Sequence, residues 1–305
     1  MSSKPEWGGV LSVLVTPFRE DASVDIPSFR RNIDKAIEDR ATGIVVAGST
    51  GEFYSLSDAE RLELFSVATG QAGGRVPVIG CVNSTSTATS ATVELADEAR
   101  TTGLDGVMLL PPLYVRPTWP EALRFFQDVT AACDLPILAY NNPSRTGIDL
   151  TVDMIEELAA KTGVVAVKDS SGDVTKMGQL ARRVGDRVRL LVGLDTLMLP
   201  CLAQGAHGIV SVVHQALPEL INALYEHTRA GRTAEAAVLQ AGLSEFCELL
   251  YKRGTNPFSA LKLAMNHRGY GGGHSRLPIL PPEGGIRGEI ETLAGTLAEA
   301  GCVNS

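Results

Sequence analysis

Short runs of apolar, largely β-branched residues recur at intervals of about thirty residues, and the segments between them carry apolar residues at helical spacing. The runs are "VLSVLVTPF" (Val10 to Phe18), "GIVVAG" (Gly43 to Gly48), "VPVIGCV" (Val76 to Val82), "GVMLLPP" (Gly106 to Pro112), "LPILAYNN" (Leu135 to Asn142), "VVAVKDS" (Val164 to Ser170), "VRLLVG" (Val188 to Gly193) and "GIVSVV" (Gly208 to Val213). Helix starts are marked between them. Asp25 precedes Ile26 and Pro27, Ser57 is followed by Glu60 at capping-box spacing, and Thr151 and Asp153 are candidate caps before the sixth run. Eight strand-and-helix units in series close most economically into a (β/α)8 barrel. A doubly wound open sheet is the alternative, weakened because no GxGxxG follows the first strand. Beyond the eighth run the pattern is helical throughout, which divides the chain into a barrel over 1–230 and a C-terminal helical region over 231–305.

The 305 residues, 44% apolar and 20% charged, are enough for one large globular unit with a substantial core. A net charge of -8 without any basic run lacks the footprint of a nucleic-acid binder and directs attention to small molecules. Cys81, Cys133, Cys201, Cys247 and Cys302 are odd in number and far apart, which argues against a disulfide framework or a zinc site. With no secretion signal and no long apolar stretch, we expect a cytoplasmic protein, in which the Asn83-Ser84-Thr85 sequon is a chance match.

Barrel chemistry sits at the carboxyl ends of the strands, so the residues closing each run are the ones to examine. Lys168 shares an alternating set with Val164 and Ala166 and is expected to point into the barrel. An apolar cavity favours the neutral form of an amine, which is the form that attacks a carbonyl carbon. The competing reading is a stem packed on the core with its ammonium paired to Asp169 or Asp173. Tyr140 follows Leu138 inward and is either a proton shuttle beside that lysine or a buried phenol with a backbone partner. "GSTGE", Gly48 to Glu52, offers amides and hydroxyls to an anion or is an ordinary tight turn. Arg145, in "NNPSRTG", can hold a carboxylate bidentately or form a surface ion pair. The histidines and carboxylates have no ligand-like spacing, so no metal and no other cofactor is expected.

With "GSTGE", "PPLYVRP", "YNNPSRTG" and "VKDSSGD" in this order, the chain resembles the dihydrodipicolinate synthase/N-acetylneuraminate lyase family of class I aldolases, from "VTPF" to "SRLPILPP". The resemblance implies a barrel with a C-terminal helical region, assembled as a homodimer or homotetramer, and a Schiff base between Lys168 and C2 of pyruvate. It makes Tyr140 the proton shuttle and Ser49 its relay, and it makes Tyr114 a residue donated across a dimer interface. Thr50 and the amides around it, including those of Gly48 and Gly51, would hold the pyruvate carboxylate, and the Val210 carbonyl would face the lysine. Gly193 and Asp195 would line the pocket.

For the second substrate the diagnostic positions disagree. Arg145 matches the synthase arginine that binds aspartate semialdehyde, whereas Ser170 and the "GST" of the turn resemble the sugar-acid lyases, and Thr196 replaces a glutamate of the sialic acid enzymes. The leading expectation is condensation of pyruvate with aspartate semialdehyde. The alternatives are aldol cleavage or dehydration of a 2-keto-3-deoxy sugar acid or related keto acid and, more remotely, a non-catalytic barrel. Phe53, Tyr54, Asp58, Arg61 and Leu113 do not reproduce the lysine-binding set of regulated synthases, so insensitivity to lysine is expected.

Overall fold

The computed structural model describes residues 6–252 and 254–303. Its strands are β1 (Gly9–Val13), β2 (Gly43–Val46), β3 (Val78–Cys81), β4 (Gly106–Leu109), β5 (Ile137–Asn141), β6 (Val164–Asp169), β7 (Arg189–Val192) and β8 (Gly208–Ser211). They run parallel in chain order around a closed barrel, and the ladder from Gly9↔Gly208 to Ser12↔Ser211 joins β8 to β1. That ladder excludes the open sheet. The intervening helices are α1 (Ile26–Glu38), α2 (Asp58–Ala72), α3 (Thr89–Ala99), α4 (Trp119–Cys133), α5 (Pro143–Thr146), α6 (Val152–Lys161), α7 (Val174–Val184) and α8 (Met198–Ala203). Then come α9 (Pro218–Arg229), α10 (Thr233–Leu250), α11 (Pro257–His267) and α12 (Gly285–Val303), with α12 packed on α9, α10 and α11.

The apolar runs outlast the strands. Leu14, Val15 and Phe18 are buried beyond the end of β1, because hydrophobicity reports burial and the loops at the barrel mouth are buried without ladder pairing. The caps follow the sequence: Ser57 and Glu60 form a reciprocal capping box, and Thr151, not Asp153, caps α6 by accepting from the Met154 amide at 3.3 Å. The single-turn α5 and the proline-containing α8 are too short to register as a periodicity.

Two apolar layers result. Leu11, Val13, Val45, Ile79, Met108, Leu138, Ala166, Leu191 and Val210 fill the barrel, and Trp7 joins them from the amino-terminal side, where its carbonyl accepts from Arg189 Nε at 3.0 Å. A larger layer lies between strands and helices. One sequence expectation is corrected here. The β5–β6 register shifts between Ile137↔Val164 and Leu138↔Ala166, so Val164 faces the outer layer while Ala166 and the residues after it keep the inward alternation.

On the turn after β8, His214 is fully buried, with Nε2 at 3.2 Å from the Asp39 carbonyl and Nδ1 unpartnered. A carbonyl only accepts, so Nε2 carries the hydrogen. Burial pulls the imidazole down to about 4, against the Asp39 carbonyl and Glu219, with Lys35 and Arg40 adding to the fall. A folded value below the unfolded one means the unfolded chain takes up the proton first as pH drops. Stability is therefore lost as pH falls from about 6.5 to about 4, by about 3 kcal/mol from this residue. Denaturant unfolding at pH 7 and pH 4.5 is expected to show a larger loss for the native protein than for His214→Gln; equal losses would remove His214 from the account.

Candidate active site

Lys168 and Tyr140 are direct neighbours across the β5–β6 ladder, and both side chains point inward. They are 3% and 5% exposed, and Lys168 Nζ lies 4.3 Å from the Tyr140 ring centroid. The phenol oxygen accepts from Asn142 Nδ2 at 2.9 Å. The carboxylates that the competing reading offered to Lys168 are otherwise engaged. Asp169 accepts from Asn141 Nδ2 and Ser171 Oγ, each at 2.7 Å, and lies 4.0 Å from Lys176 Nζ. Asp173 caps α7 by accepting from the Lys176 amide at 3.0 Å. The amine thus faces an aromatic ring, with apolar side chains of the barrel interior around it and the buried Asp195 carboxylate close enough to feel its charge.

The turn from Gly48 to Glu52 lies at the end of β2. A Cβ on Gly48 would sit 3.2 Å from Met108 Cε and 3.6 Å from Val13 Cγ1, which places this glycine over the barrel interior. Ser49 is half-buried and Thr50 buried, with Gly51 packed so closely on Ala47 and Leu14 that a side chain has no room. Ala47 and Glu52 flank the turn at φ 50° and φ 55°, in the left-handed region that non-glycine residues occupy at a cost of about 1–2 kcal/mol each. Such bends are maintained only where the surroundings hold them.

At the ends of β7 and β8, Asp195 is buried and accepts from Ser211 Oγ and, at 3.1 Å, from the Val212 amide. Burial pushes its carboxyl up, while these donors and the nearby Lys168 pull it down. The Val210 side chain fills the barrel interior. Ser170 Oγ is buried with no hydrogen-bond partner, and it occupies the space a Cβ on Gly193 would need, 2.1 Å away.

Residues 6–296 match the family model described as the dihydrodipicolinate synthetase family. The chain belongs to that family. A 4-hydroxy-tetrahydrodipicolinate synthase of Methanococcoides burtonii is 35% identical over 97% of this chain and 99% of its own, and an uncharacterized DapA-like lyase of Rhizobium meliloti is 34% identical over 95% and 96%. Among solved structures, the 4-hydroxy-tetrahydrodipicolinate synthase of Methylacidiphilum fumariolicum superposes with a TM-score of 0.90 at 31% identity, over 98% of both chains. A sialic acid aldolase of Ruminococcus gnavus, at 23% identity and a TM-score of 0.89, shares the fold.

In this dihydrodipicolinate synthetase family member, Arg145 lies on α5, exposed, and its charge reaches Tyr54 on one side and Tyr251 on the other. The segment carrying it is tied to the strands by Asn141, which donates to Asp149 at 2.8 Å and accepts from the Leu150 amide at 2.9 Å, and by the buried Lys176, which pairs with Asp149. Tyr114 is not brought to the Lys168 pair: it is 90% exposed, on a loop where its φ is 70° and that of Arg116 is 46°. Among the described residues no group of three histidine, cysteine or acidic side chains is placed to hold a metal, and no helix is long and apolar enough to cross a membrane.

Sequence reasoning missed the group that supports the turn. Lys262 of α11 is 1% exposed, pairs with the fully buried Glu52, and donates to the carbonyls of Thr16 and His274, each at 2.7 Å. Thr16 Oγ1 in turn donates to the Gly51 carbonyl at 2.7 Å. Burial pulls the ammonium down and Glu52 opposes this. Removing one member leaves a buried charge without its partner, so Lys262→Met and Glu52→Gln are each expected to cost about 3–5 kcal/mol in denaturant unfolding, while Glu52→Leu/Lys262→Met recovers most of it. Single variants as stable as the parent would show that the pair does not support the turn.

Proposed function

We propose that this lyase forms a Schiff base between Lys168 and the keto carbon of pyruvate and adds the resulting enamine to an aldehyde, most simply aspartate semialdehyde. The observation that carries the reading is the buried Lys168 amine against Tyr140, with the carboxylates that follow it in sequence, Asp169 and Asp173, engaged by other groups. Attack of the amine on C2 and loss of water give the iminium, and loss of a C3 proton gives the enamine. C3 then bonds to the aldehyde carbon, whose carbonyl electron pair becomes an alkoxide protonated by the Tyr140 phenol. Water hydrolyses the iminium and frees Lys168. The Gly48–Gly51 turn, with Ser49 and Thr50, supplies amides and hydroxyls for the pyruvate carboxylate. Two of the relatives quoted above are named 4-hydroxy-tetrahydrodipicolinate synthase, which supports this direction of reaction.

Arg145 supports a second carboxylate on the acceptor, and its solvent-facing position suits a group arriving at the mouth. Tyr114, with its exposed ring on a bent loop, is assigned to the site of a second copy, in a homodimer or homotetramer. The unpartnered Ser170 Oγ favours a second reading, in which the same lysine cleaves or dehydrates a hydroxylated 2-keto acid and Ser170 binds its hydroxyl.

Borohydride reduction with pyruvate, followed by peptide mass analysis, is expected to place the adduct on Lys168; its absence overturns both readings. Arg145→Ala is expected to lower kcat/KM for aspartate semialdehyde by about ten- to a hundredfold, roughly 1.5–3 kcal/mol, with adduct formation retained. Undiminished turnover of the semialdehyde would withdraw Arg145 from the acceptor site.

A further inference from the structure

Asn142 follows β5 and stands at the N-cap of α5, where an asparagine side chain ordinarily accepts from an amide of the first turn. This one makes no such bond. The turn is closed by the Asn142 carbonyl, which accepts from the Arg145 and Thr146 amides, each at 3.0 Å, and from Thr146 Oγ1 at 3.1 Å. Two residues apart at the end of the strand, Tyr140 and Asn142 lie on the same side of the chain, and Asn142 Nδ2 donates to the phenol oxygen at 2.9 Å. Its Oδ1 accepts from Ser144 Oγ at 2.8 Å, so the amide is held at both ends. The neighbouring Asn141 shows the contrast: its buried side chain bonds to Asp149, Asp169 and the Leu150 amide, all of them parts of the scaffold. The donor of Asn142 goes to the Lys168–Tyr140 pair.

A phenol oxygen has one proton to give and accepts on its lone pairs. With Nδ2–H on the side of Asn142, the phenol proton is held on the other side of the oxygen. When that proton passes to the alkoxide, the electron pair of the broken O–H bond stays on the phenolate oxygen until solvent restores the proton. The Nδ2–H that donated to a neutral oxygen then donates to a charged one. A hydrogen bond to a charged acceptor is the stronger, so it favours the form that arises during proton transfer. Such an interaction grows toward the transition state and accelerates the step.

We propose that Asn142 is a positioning residue for Tyr140: its amide, held by Ser144, orients the phenol and stabilises the charge the oxygen acquires when it protonates the alkoxide. The inference rests on the Schiff-base reading and adds a residue to its proton transfer. The other ionisable groups about the phenol are Lys168 on β6, Cys81 on β3, Arg145 on α5, Asp195 beyond β7 and Tyr251 at the end of α10. With pyruvate saturating, Lys168 is held in the Schiff base, and the rest are common to the parent and its variants. A difference in pH profile between them therefore reports on Asn142.

The test follows condensation with aspartate semialdehyde at saturating pyruvate, from mildly acidic to alkaline pH, in the parent, Asn142→Leu, Asn142→Asp and Ser144→Ala. Borohydride trapping of the Lys168 adduct runs in parallel. Asn142→Leu, of similar size without the donor, is expected to lower kcat about ten- to a hundredfold while KM for the semialdehyde changes less than about threefold. The alkaline limb of its kcat profile moves to higher pH, because a phenol without that donor gives up its proton less readily. Asn142→Asp keeps the shape and replaces the donor by an acceptor, so its activity relative to the parent falls as far in neutral solution and recovers in acid, where the protonated carboxyl again has an O–H to donate. Ser144→Ala, which loosens the amide without removing it, shows a smaller loss in the same direction and carries the test if the Asn142 variants do not fold. Unchanged kcat in the folded variants, or a lower kcat with an unmoved alkaline limb and no recovery of Asn142→Asp in acid, overturns the role of Asn142 and leaves the Schiff-base reading intact. No adduct in the parent overturns that reading and this role with it.

Discussion

Everything at the mouth of this barrel depends on the β5–β6 ladder. The pairing of Tyr140 with Lys168 sets a phenol beside an amine, and closure of the sheet through β8 and β1 directs both toward a filled interior. A slip of one residue would turn Lys168 to the outer layer, among the helices. The bulge at Val164 and Val165 absorbs the mismatch at the far end of the strand, so the inward alternation is kept from Ala166 to Lys168.

Around this pair, the loops are fastened by cations that reach in from the helical layer. Arg61 of α2, fully buried, donates to the carbonyls of Cys81 and, at 2.7 Å, Asn83, whose side chain bridges to the Leu110 backbone at the end of β4. Lys176 of α7 holds the segment that carries Arg145, and Lys262 of α11 holds Thr16 and Glu52 beneath the Gly48–Gly51 turn. Strand ends expose backbone carbonyls that the ladder no longer satisfies, and a buried ammonium or guanidinium satisfies several of them at once. These residues shape the mouth without contributing to the barrel interior.

The helical region after the barrel takes part in this. Gln240 of α10 accepts from the Leu199 amide at 2.9 Å and donates to the Asp195 carbonyl at 3.1 Å, fixing the turn after β7. Cys247 on the same helix and Tyr251 at its end line a cavity of 270 Å³ together with Gly193 to Thr196 beyond β7. The barrel supplies the Lys168–Tyr140 pair, and the helices outside it form part of the surroundings of the strand ends.

The sequence by itself determined the eight strands and their order, because buried parallel strands are apolar on both faces and turn polar where they end. It also brought out Lys168 and Tyr140, since a period of two assigns the face of a residue from its neighbours, and the quoted motifs pointed to the family. Only the tertiary structure decided which way Val164 faces, because a bulge leaves no mark in an apolar run. It alone joined Glu52 to Lys262, 210 residues apart, and set Trp7 into the base of the barrel. It alone showed Ser170 Oγ without a partner and Tyr114 turned outward. Local pattern carries the face and the element, while a contact between distant residues exists only once the barrel has closed and brought its strand ends and covering helices together.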